Sequence, residues 1–399
     1  MVQIDSATQQ FIEAHRQDDV KVLALQAKRY PQVDMSFALN QIAGWQTAST
    51  KLPSWAALSG IVYPMHLSME QCSSEPTARY KASLVKGRTL VDLTGGLGVD
   101  CSFLSSNFEQ VDYVERQAEL AEIAEHNFEV LGLSSKVTVH TGDGVDFLQK
   151  MNKVDVIYLD PARRDNHGGK VVSIADCEPD VSRLEDLLLQ KADTVLIKLS
   201  PMLDVKLAFQ TLHHVQAVHI IAVNNECKEL LLLLSKTTHL DLEEIPFFCV
   251  NIGKSGETQC FLFTGARESK AVVRYSDPES FLYEPNAAIM KTQGFKVLTE
   301  RFPVKKLQNN SHLYTSSEWI PEFPGRKFQI QEFSGLGKKE LKSFLDGLTQ
   351  ANLTVRNFPM TVADLRKRLK IKEGGEYYLF ATTLQDNRKV LIKAVPLRK

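Results

Sequence analysis

Between residues 89 and 235 short apolar runs alternate with amphipathic stretches, and this alternation constrains the fold more than any other feature. The runs fall near 89–93, 111–115, 136–139, 154–159 and 193–199, and helix-compatible segments near 99–107, 117–131, 144–150 and 178–190 separate them. Strands joined by helices imply a parallel sheet with both faces covered. Two further runs, 218–223 and 229–234, are linked only by Asn224 to Lys228. That link is too short for a crossover helix, so the pair must close the sheet as an antiparallel hairpin. The first run leads into a turn, Asp92-Leu-Thr-Gly-Gly-Leu-Gly, and amphipathic sequence follows at Val99, Phe103 and Leu104. Glycines in such a turn let the backbone approach a ligand without a Cβ in the way, and the next helix presents free N–H groups there.

Acidic residues at the ends of the following strands decide what the loop holds. Glu115 ends the second run, where a carboxylate can accept hydrogen bonds from both ribose hydroxyls. Asp143, in Thr-Gly-Asp-Gly, lies just past the third, within reach of an adenine amino group. Asp160 ends the fourth in Asp-Pro-Ala-Arg-Arg, beside the reactive end of such a ligand. Open α/β sheets bind ligands at the carboxyl ends of their strands, so the four positions together read as a nucleoside site. NAD is the competing ligand, but Cys101 stands where a dinucleotide fingerprint has its third glycine. The expected cofactor is S-adenosylmethionine, with Asp92, Thr94, Gly95, Gly96, Gly98, Glu115, Asp143 and Asp160 around it. Gly95, Gly96 and Gly98 give clearance, and Asp92 holds the loop or the ligand's ammonium.

The 399 residues are enough for two or three domains, and 43% apolar with 24% charged residues is the composition of a globular protein. No apolar run reaches the length of a membrane span, and the N-terminus lacks a basic-then-apolar signal pattern, so the cytoplasm is the expected compartment. Six cysteines, Cys72, Cys101, Cys177, Cys227, Cys249 and Cys260, are scattered with no Cys-x-x-Cys pair, and no metal is expected. Charge is split along the chain. From Lys270 to Lys399, 23 Lys and Arg face 13 Asp and Glu, a net +10, while the remainder carries −11. A basic segment of this kind suits a polyanionic partner, and equally a solvated surface. Residues 1–85 read as helices at 6–16, 18–28 and 34–49, broken at Pro31 and Pro53; polar residues 68–82 could wall the nucleotide site or form an exposed face. Residues 245–265 read as a further hairpin. Beyond 327, strands at 327–333, 352–358, 376–383 and 389–395 with helices at 337–350 and 361–370 suggest an α+β region.

Val91-Asp-Leu-Thr-Gly-Gly-Leu-Gly, Glu115, Asp143 and Asp160-Pro-Ala-Arg resemble the motifs of class I S-adenosylmethionine-dependent methyltransferases. Adding Gln71-Cys-Ser-Ser-Glu and the C-terminal Val-Arg-Asn-Phe-Pro-Met, Leu-Arg-Lys-Arg-Leu-Lys and Gly-Gly-Glu-Tyr-Tyr-Leu-Phe-Ala-Thr-Thr, nearly the whole chain resembles a bacterial family of RNA methyltransferases with ferredoxin-like and THUMP-like C-terminal domains. The resemblance implies an α/β, Rossmann-like, seven-stranded sheet with an N-terminal helical segment and a C-terminal α+β region. The implied domains are 1–85 (helical), 86–268 (cofactor-binding), 269–326 (ferredoxin-like) and 327–399 (basic, THUMP-like). It also implies methylation of a base in structured RNA, a transfer or ribosomal RNA.

In relatives that methylate exocyclic amines the fourth-strand motif reads Asp/Asn-Pro-Pro and an aromatic residue. Here Ala162 replaces the second proline and Arg163 the aromatic. Asp160 is expected to orient the acceptor or take its proton, with Arg163 stacking on a base or holding a phosphate. Cys177, the nearest thiol to that motif by sequence, lacks the context of a nucleophile. Lys198, which ends the fifth strand with Ser200 close by, is a candidate substrate contact. Arg366, Lys367 and Arg368 are candidate phosphate contacts. Two other readings stay open at this stage: a methyltransferase of a small molecule or protein, and a non-catalytic RNA-binding or assembly factor that retains the pocket.

Overall fold

The computed structural model describes residues 4–163, 174–205, 211–237 and 240–397, with only the backbone of 66–68 and Arg163. The chain divides into two compact units. One holds Met1–Val218 and Glu229–Leu240, the other His219–Lys228 and Asp241–Lys399.

The first unit opens with helices Ser6–His15, Val20–Leu25, Met35–Lys51, Pro53–Ala56, His66–Gln71 and Glu75–Leu84. Asp5, Asp19 and Asp34 cap the first three by accepting N–H bonds from Thr8, Lys21 and Phe37. Pro53 both ends the long helix and occupies the first turn of the next, where its missing N–H costs nothing. Leu52, Trp55, Val62, Tyr63, Met69 and Ala78 from this segment pack with Leu97 and Val99 of the glycine turn and Ile123 beyond it. The later part of the helical segment is therefore in the same core as the turn, while Phe11, Leu23, Val33, Ala38 and Ile42 of the earlier part form a cluster of their own.

Strands β1 (Thr89–Asp92), β2 (Gln110–Glu115), β3 (Val137–Thr141) and β4 (Val154–Leu159) are followed by two short strands, β5 (Ala162–Arg163) and β6 (Cys177–Glu178), which pair with each other. Next come β7 (Ala192–Leu199), β8 (Val215–Val223), β9 (Glu226–Leu234), β10 (Pro246–Ile252) and β11 (Thr258–Thr264). All but β5 and β6 form one nine-stranded sheet in the order β11-β10-β8-β9-β7-β4-β1-β2-β3. The pairings of β1 with β2 and β4, of β2 with β3, and of β4 with β7 are parallel; β7 with β9 is antiparallel. Asn224 and Asn225, with φ of 51° and 64°, form the two-residue turn that joins β8 to β9.

The expectation of seven strands is corrected to nine. The hairpin of β10 and β11, read from the sequence as a separate element, extends the sheet past β8. An edge strand as apolar as β8 otherwise leaves a row of unpaired backbone groups open to association.

In the second unit, β12 (Phe281–Pro285), β13 (Lys305–Lys306), β14 (Tyr314–Ser316), β15 (Gly325–Ser334), β16 (Asn352–Arg356), β17 (Tyr378–Thr383) and β18 (Lys389–Pro396) form a second sheet in the order β13-β14-β12-β15-β18-β17-β16. Helices Lys338–Phe344 and Val362–Leu369 contribute Phe344, Leu365 and Leu369 to a cluster with Leu379, Ala381 and Leu391. Alternate residues of the same strands, Phe380, Val390, Ile392 and Ala394, join Leu282, Leu307 and Leu313 in a second cluster, as the period-two pleat requires. Strand β12 pairs antiparallel with β15, so residues 269–326 and 327–399 share one sheet, and the boundary expected between them falls inside β15. Among the described residues no helix is long and apolar enough to cross a membrane.

Candidate active site

The glycine turn is shaped chiefly from inside the fold. A Cβ on Gly95 would lie 2.3 Å from the Tyr113 ring of β2, and one on Gly98 would lie 2.7 Å from Phe128. Gly96 and Gly98 have φ of 59° and 80°, the left-handed region that glycine enters freely. The clearance expected for a ligand at Gly95 and Gly98 is thus taken up by aromatic rings of the core. The turn is also tied to its neighbours. Thr94 Oγ1 accepts the Asp160 N–H at 2.6 Å, Tyr113 OH donates to the Gly96 carbonyl, and Leu93 N donates to Tyr158 O at 3.1 Å.

The strand-end acids occupy different environments. Asp92 is 1% exposed; its Oδ1 accepts the Thr94 N–H at 3.0 Å. Burial pushes its carboxyl up to about 8 against the pull of that N–H, and the nearby Asp100, Asp160 and Glu115 add to the rise. Glu115 is buried and grips the turn, accepting Gly96 N–H at 2.7 Å and Gln117 N–H at 2.8 Å. Asp143 is exposed and caps helix Gly144–Lys150, its Oδ1 accepting from Val145 and Asp146. Gly144 carries the backbone past Leu93 O so closely that a Cβ would lie 2.2 Å from it.

Asp160 is the end of a chain of alternating charges. Its Oδ2 lies 2.5 Å from Lys198 Nζ; Lys198 Nζ lies 3.8 Å from Asp100 Oδ2; Asp100 Oδ1 lies 3.2 Å from Lys81 Nζ; and Lys81 Nζ lies 2.7 Å from Glu229 Oε2. Ser73 and Tyr158 donate to Asp100 Oδ2 at 2.7 and 2.6 Å, and Lys81 donates to Ser73 Oγ at 3.0 Å. Side-chain exposure along the chain is 3% at Glu229, 0% at Lys81, 9% at Asp100, 12% at Lys198 and 37% at Asp160, so the buried charges lead to one that reaches solvent. Burial would lower the Lys198 ammonium, but Asp160, Asp100 and Glu229 outweigh it and hold the group above the usual lysine range. Burial likewise opposes the ionised form of Asp100, yet Lys81, Lys198 and the two hydroxyls hold its carboxyl below the usual value.

The first unit thus brings together Asp92, Thr94, Gly95, Gly96, Gly98, Glu115, Asp160 and Lys198, with Asp143 opening the helix after β3. Lys198 is engaged with carboxylates rather than presented as a free substrate contact. Arg163 pairs with Cys177 through the backbone of β5 and β6; its side chain lies outside the described residues. Cys177 is 4% exposed. Arg366, Lys367 and Arg368 belong to the second unit. There Leu365 and Leu369 seat their helix while Lys367 and Arg368 are exposed, and Arg366 donates to Ala351 O at 3.4 Å. Segment 68–82 presents Met69, Ser73, Thr77, Ala78, Lys81 and Ala82 to the interior, and through Ser73 and Lys81 it enters the charge chain.

Sequence reasoning missed Lys81, Asp100, Tyr158 and Glu229. One signal was available: Glu229 is a charge placed directly before five leucines, inside the apolar run 229–234. Among the described residues no group of three or more His, Cys, Asp or Glu is placed to hold a metal.

Residues 87–164 match a family described as RNA cap guanine-N2 methyltransferase, residues 281–324 a ferredoxin-like domain, and residues 325–395 a THUMP domain-like family. The chain is similar over its full length to the crystal structure of a "putative methyltransferase from Porphyromonas gingivalis W83", with 35% identity, 100% of each chain covered and a TM-score of 0.89. An uncharacterized S-adenosylmethionine-dependent methyltransferase of Mycobacterium tuberculosis is 26% identical over 137 residues, 34% of this chain and 36% of that protein; the match spans about a third of that relative's length.

Proposed function

From a chain that belongs to the family of S-adenosylmethionine-dependent methyltransferases continuing into ferredoxin-like and THUMP-like domains, we propose an enzyme that methylates a hydrogen-bearing nitrogen of a base in structured RNA, transfer or ribosomal. The observation that carries the RNA part is the THUMP domain-like match over residues 325–395, which coincides with the basic part of the chain. The nitrogen acceptor is supported by the family matched at 87–164, described by its action on a guanine amino nitrogen of RNA.

The residues fit S-adenosylmethionine on their chemistry. Glu115 offers a carboxylate to two ribose hydroxyls. Asp143 uses one oxygen to cap a helix, which leaves the other for an adenine amino group. Asp92, Asp100, Asp160, Glu115 and Glu229 outnumber Lys81 and Lys198, a surplus that suits a ligand bearing positive charge. When bound, the cofactor supplies an electrophilic methyl carbon on a positively charged sulfur. The protein's own part is placement and proton removal. Asp160, half-exposed at the end of β4, accepts the acceptor's N–H and takes the proton as the nitrogen attacks. Arg163 is a second contact to the acceptor. Lys367 and Arg368 contact phosphates, and Arg366 supports them.

The test is to incubate the purified full-length protein and S-adenosylmethionine with total RNA from a strain lacking the gene, then digest to nucleosides for mass spectrometry. One new N-methylated nucleoside in transfer or ribosomal RNA is the expected result. An unchanged nucleoside profile in both classes, with the protein folded and binding the cofactor, overturns the reading.

A further inference from the structure

We propose that Lys198 is a positioning residue for methyl transfer, and that its ammonium, held between Asp100 and Asp160, fixes the Asp160 carboxylate to receive the N–H of the acceptor base. The inference rests on the reading above that Asp160 receives the acceptor.

The geometry has three parts. Lys198 is nearly the last residue of β7, and Asp160 follows the last residue of β4; these strands are parallel neighbours, with Leu159 opposite Ile197. The pairing therefore delivers both side chains to the same edge of the sheet, where Lys198 Nζ and Asp160 Oδ2 meet at 2.5 Å. A charge-assisted contact of that length sets the orientation of a short side chain, because Asp has only two rotatable bonds to fix. The second part is the anchor behind the lysine. Asp100 is held by Ser73 and Tyr158 through hydrogen bonds and by Lys81 through its charge, and Lys81 is held by both oxygens of Glu229, at 2.8 and 2.7 Å. Every member behind Lys198 is buried, so the ammonium cannot drift without leaving Lys81 as the one cation beside the buried Asp100 carboxylate among the described residues. The third part is the grip on the Asp160 backbone, whose N–H donates to Thr94 Oγ1 of the glycine turn at 2.6 Å. Backbone and side chain of Asp160 are thus fixed from opposite sides, one by the cofactor turn and the other by Lys198. Among the described residues Oδ2 of Asp160 takes the lysine and Oδ1 takes no other side chain, which offers Oδ1 to the acceptor.

This assigns Lys198 to Asp160 rather than to the substrate, and it predicts a particular pattern of non-additivity. Lys198→Met lowers kcat about 100-fold, the scale expected for a misplaced reacting group. It leaves KM for RNA and the Kd for S-adenosylmethionine within about twofold, because neither is bound through Lys198. Lys198→Arg, which keeps the charge, recovers most of the loss. Lys198→Met combined with Asp160→Asn is no slower than Asp160→Asn alone, since a residue acting through Asp160 has nothing left to act on.

A parallel cycle is read without cofactor or substrate, as thermal stability. Asp160→Asn raises the Tm of Lys198→Met, because it removes the charge left without a partner, whereas it lowers that of the wild type. Rates are measured with labelled S-adenosylmethionine and RNA from the deletion strain, and cofactor affinity by calorimetry. Multiplicative rate losses in the double variant, or Lys198→Met turning over at the wild-type rate while Asp160→Asn is inactive, overturn the role of Lys198 alone. Asp160→Asn at the wild-type rate overturns the role of Asp160 itself. Should no RNA accept the label, the RNA reading falls, and the stability cycle decides Lys198: additive Tm shifts overturn the pairing.

Discussion

One carboxylate cluster in the first unit and one buried carboxylate in the second are built in opposite ways. In the first, three acids, Asp100, Asp160 and Glu229, share Lys81 and Lys198, and two more close by, Asp92 and Glu115, accept backbone N–H groups instead. In the second, one acid, Glu284, has two arginines to itself. Arg326 Nε donates to its Oε2 at 2.7 Å, and Arg356 Nε donates to its Oε1 at 3.0 Å, with Glu284 buried and both guanidinium groups partly exposed. The difference separates a site from a staple. A carboxylate with every lone pair answered has nothing left to offer a ligand and serves to join strands; here it ties β12 to β15 and β16. A cluster with more acids than cations is incomplete, and the remaining positive charge must come from a proton or from something bound.

The largest expected effect lies where a charge has no route to water. Lys81→Met leaves Glu229 buried without a cation, and the loss should reach about 3–5 kcal/mol in urea or guanidinium unfolding. If the loss is below about 1 kcal/mol, the chain is not held together by its charges, and the contrast with the second unit fails.

A smaller effect concerns the proton on Asp92. Its native carboxyl stands at about 8 and its ordinary value is 3.8, so the folded state keeps a proton that the unfolded state releases. The unfolded chain binds fewer protons across that interval, so this stabilisation is complete below about pH 4, declines as pH rises, and is gone above about pH 8. Between about pH 6 and pH 8 the wild type should lose about 2 kcal/mol that Asp92→Asn does not lose. Parallel stability curves for the two proteins would show that the acid surplus is neutralised elsewhere.

The smallest effect is at the staple. Glu284→Gln keeps the shape, and its two arginines can turn to solvent, so the cost should be about 1–2 kcal/mol, with S-adenosylmethionine affinity unchanged by calorimetry. A weakened cofactor would mean that the second unit bears on the site after all, and the comparison would need redrawing.

How much of this was legible in the sequence follows from the distance over which each feature is written. The glycine turn and the acids that close β2, β3 and β4 are local: each is a strand end followed by a helix start, and periodicity exposes them. Asp100 was visible but unremarkable, an acid two residues past Gly98 in the first turn of a helix. Its contacts are with Ser73, Lys81 and Lys198, which no local pattern connects to it. Lys81 and Glu229 are 148 residues apart, and only the packing of a helix before β1 against a strand after β7 brings them together. The two extra strands escaped for a similar reason. A hairpin announces its own turn, here Gly253 to Gly256, but not the sheet edge it will join. The glycines were recognised as necessary, yet the rings of Tyr113 and Phe128 that make Gly95 and Gly98 necessary lie in other elements.

The pairing of β12 with β15 bears on how the chain can be dissected. Family matching places a seam between residues 324 and 325, and a protein engineer would cut there to isolate the last domain. That cut strips β15 of its neighbour from Phe281 to Pro285 and takes Glu284 from Arg326 and Arg356. The fragment would carry a ten-residue strand with a newly naked edge over Gly325 to Gln329, a template for edge-to-edge aggregation. A cut that preserves solubility has to keep β12 with β15, so the smallest portable piece of this region begins before Phe281.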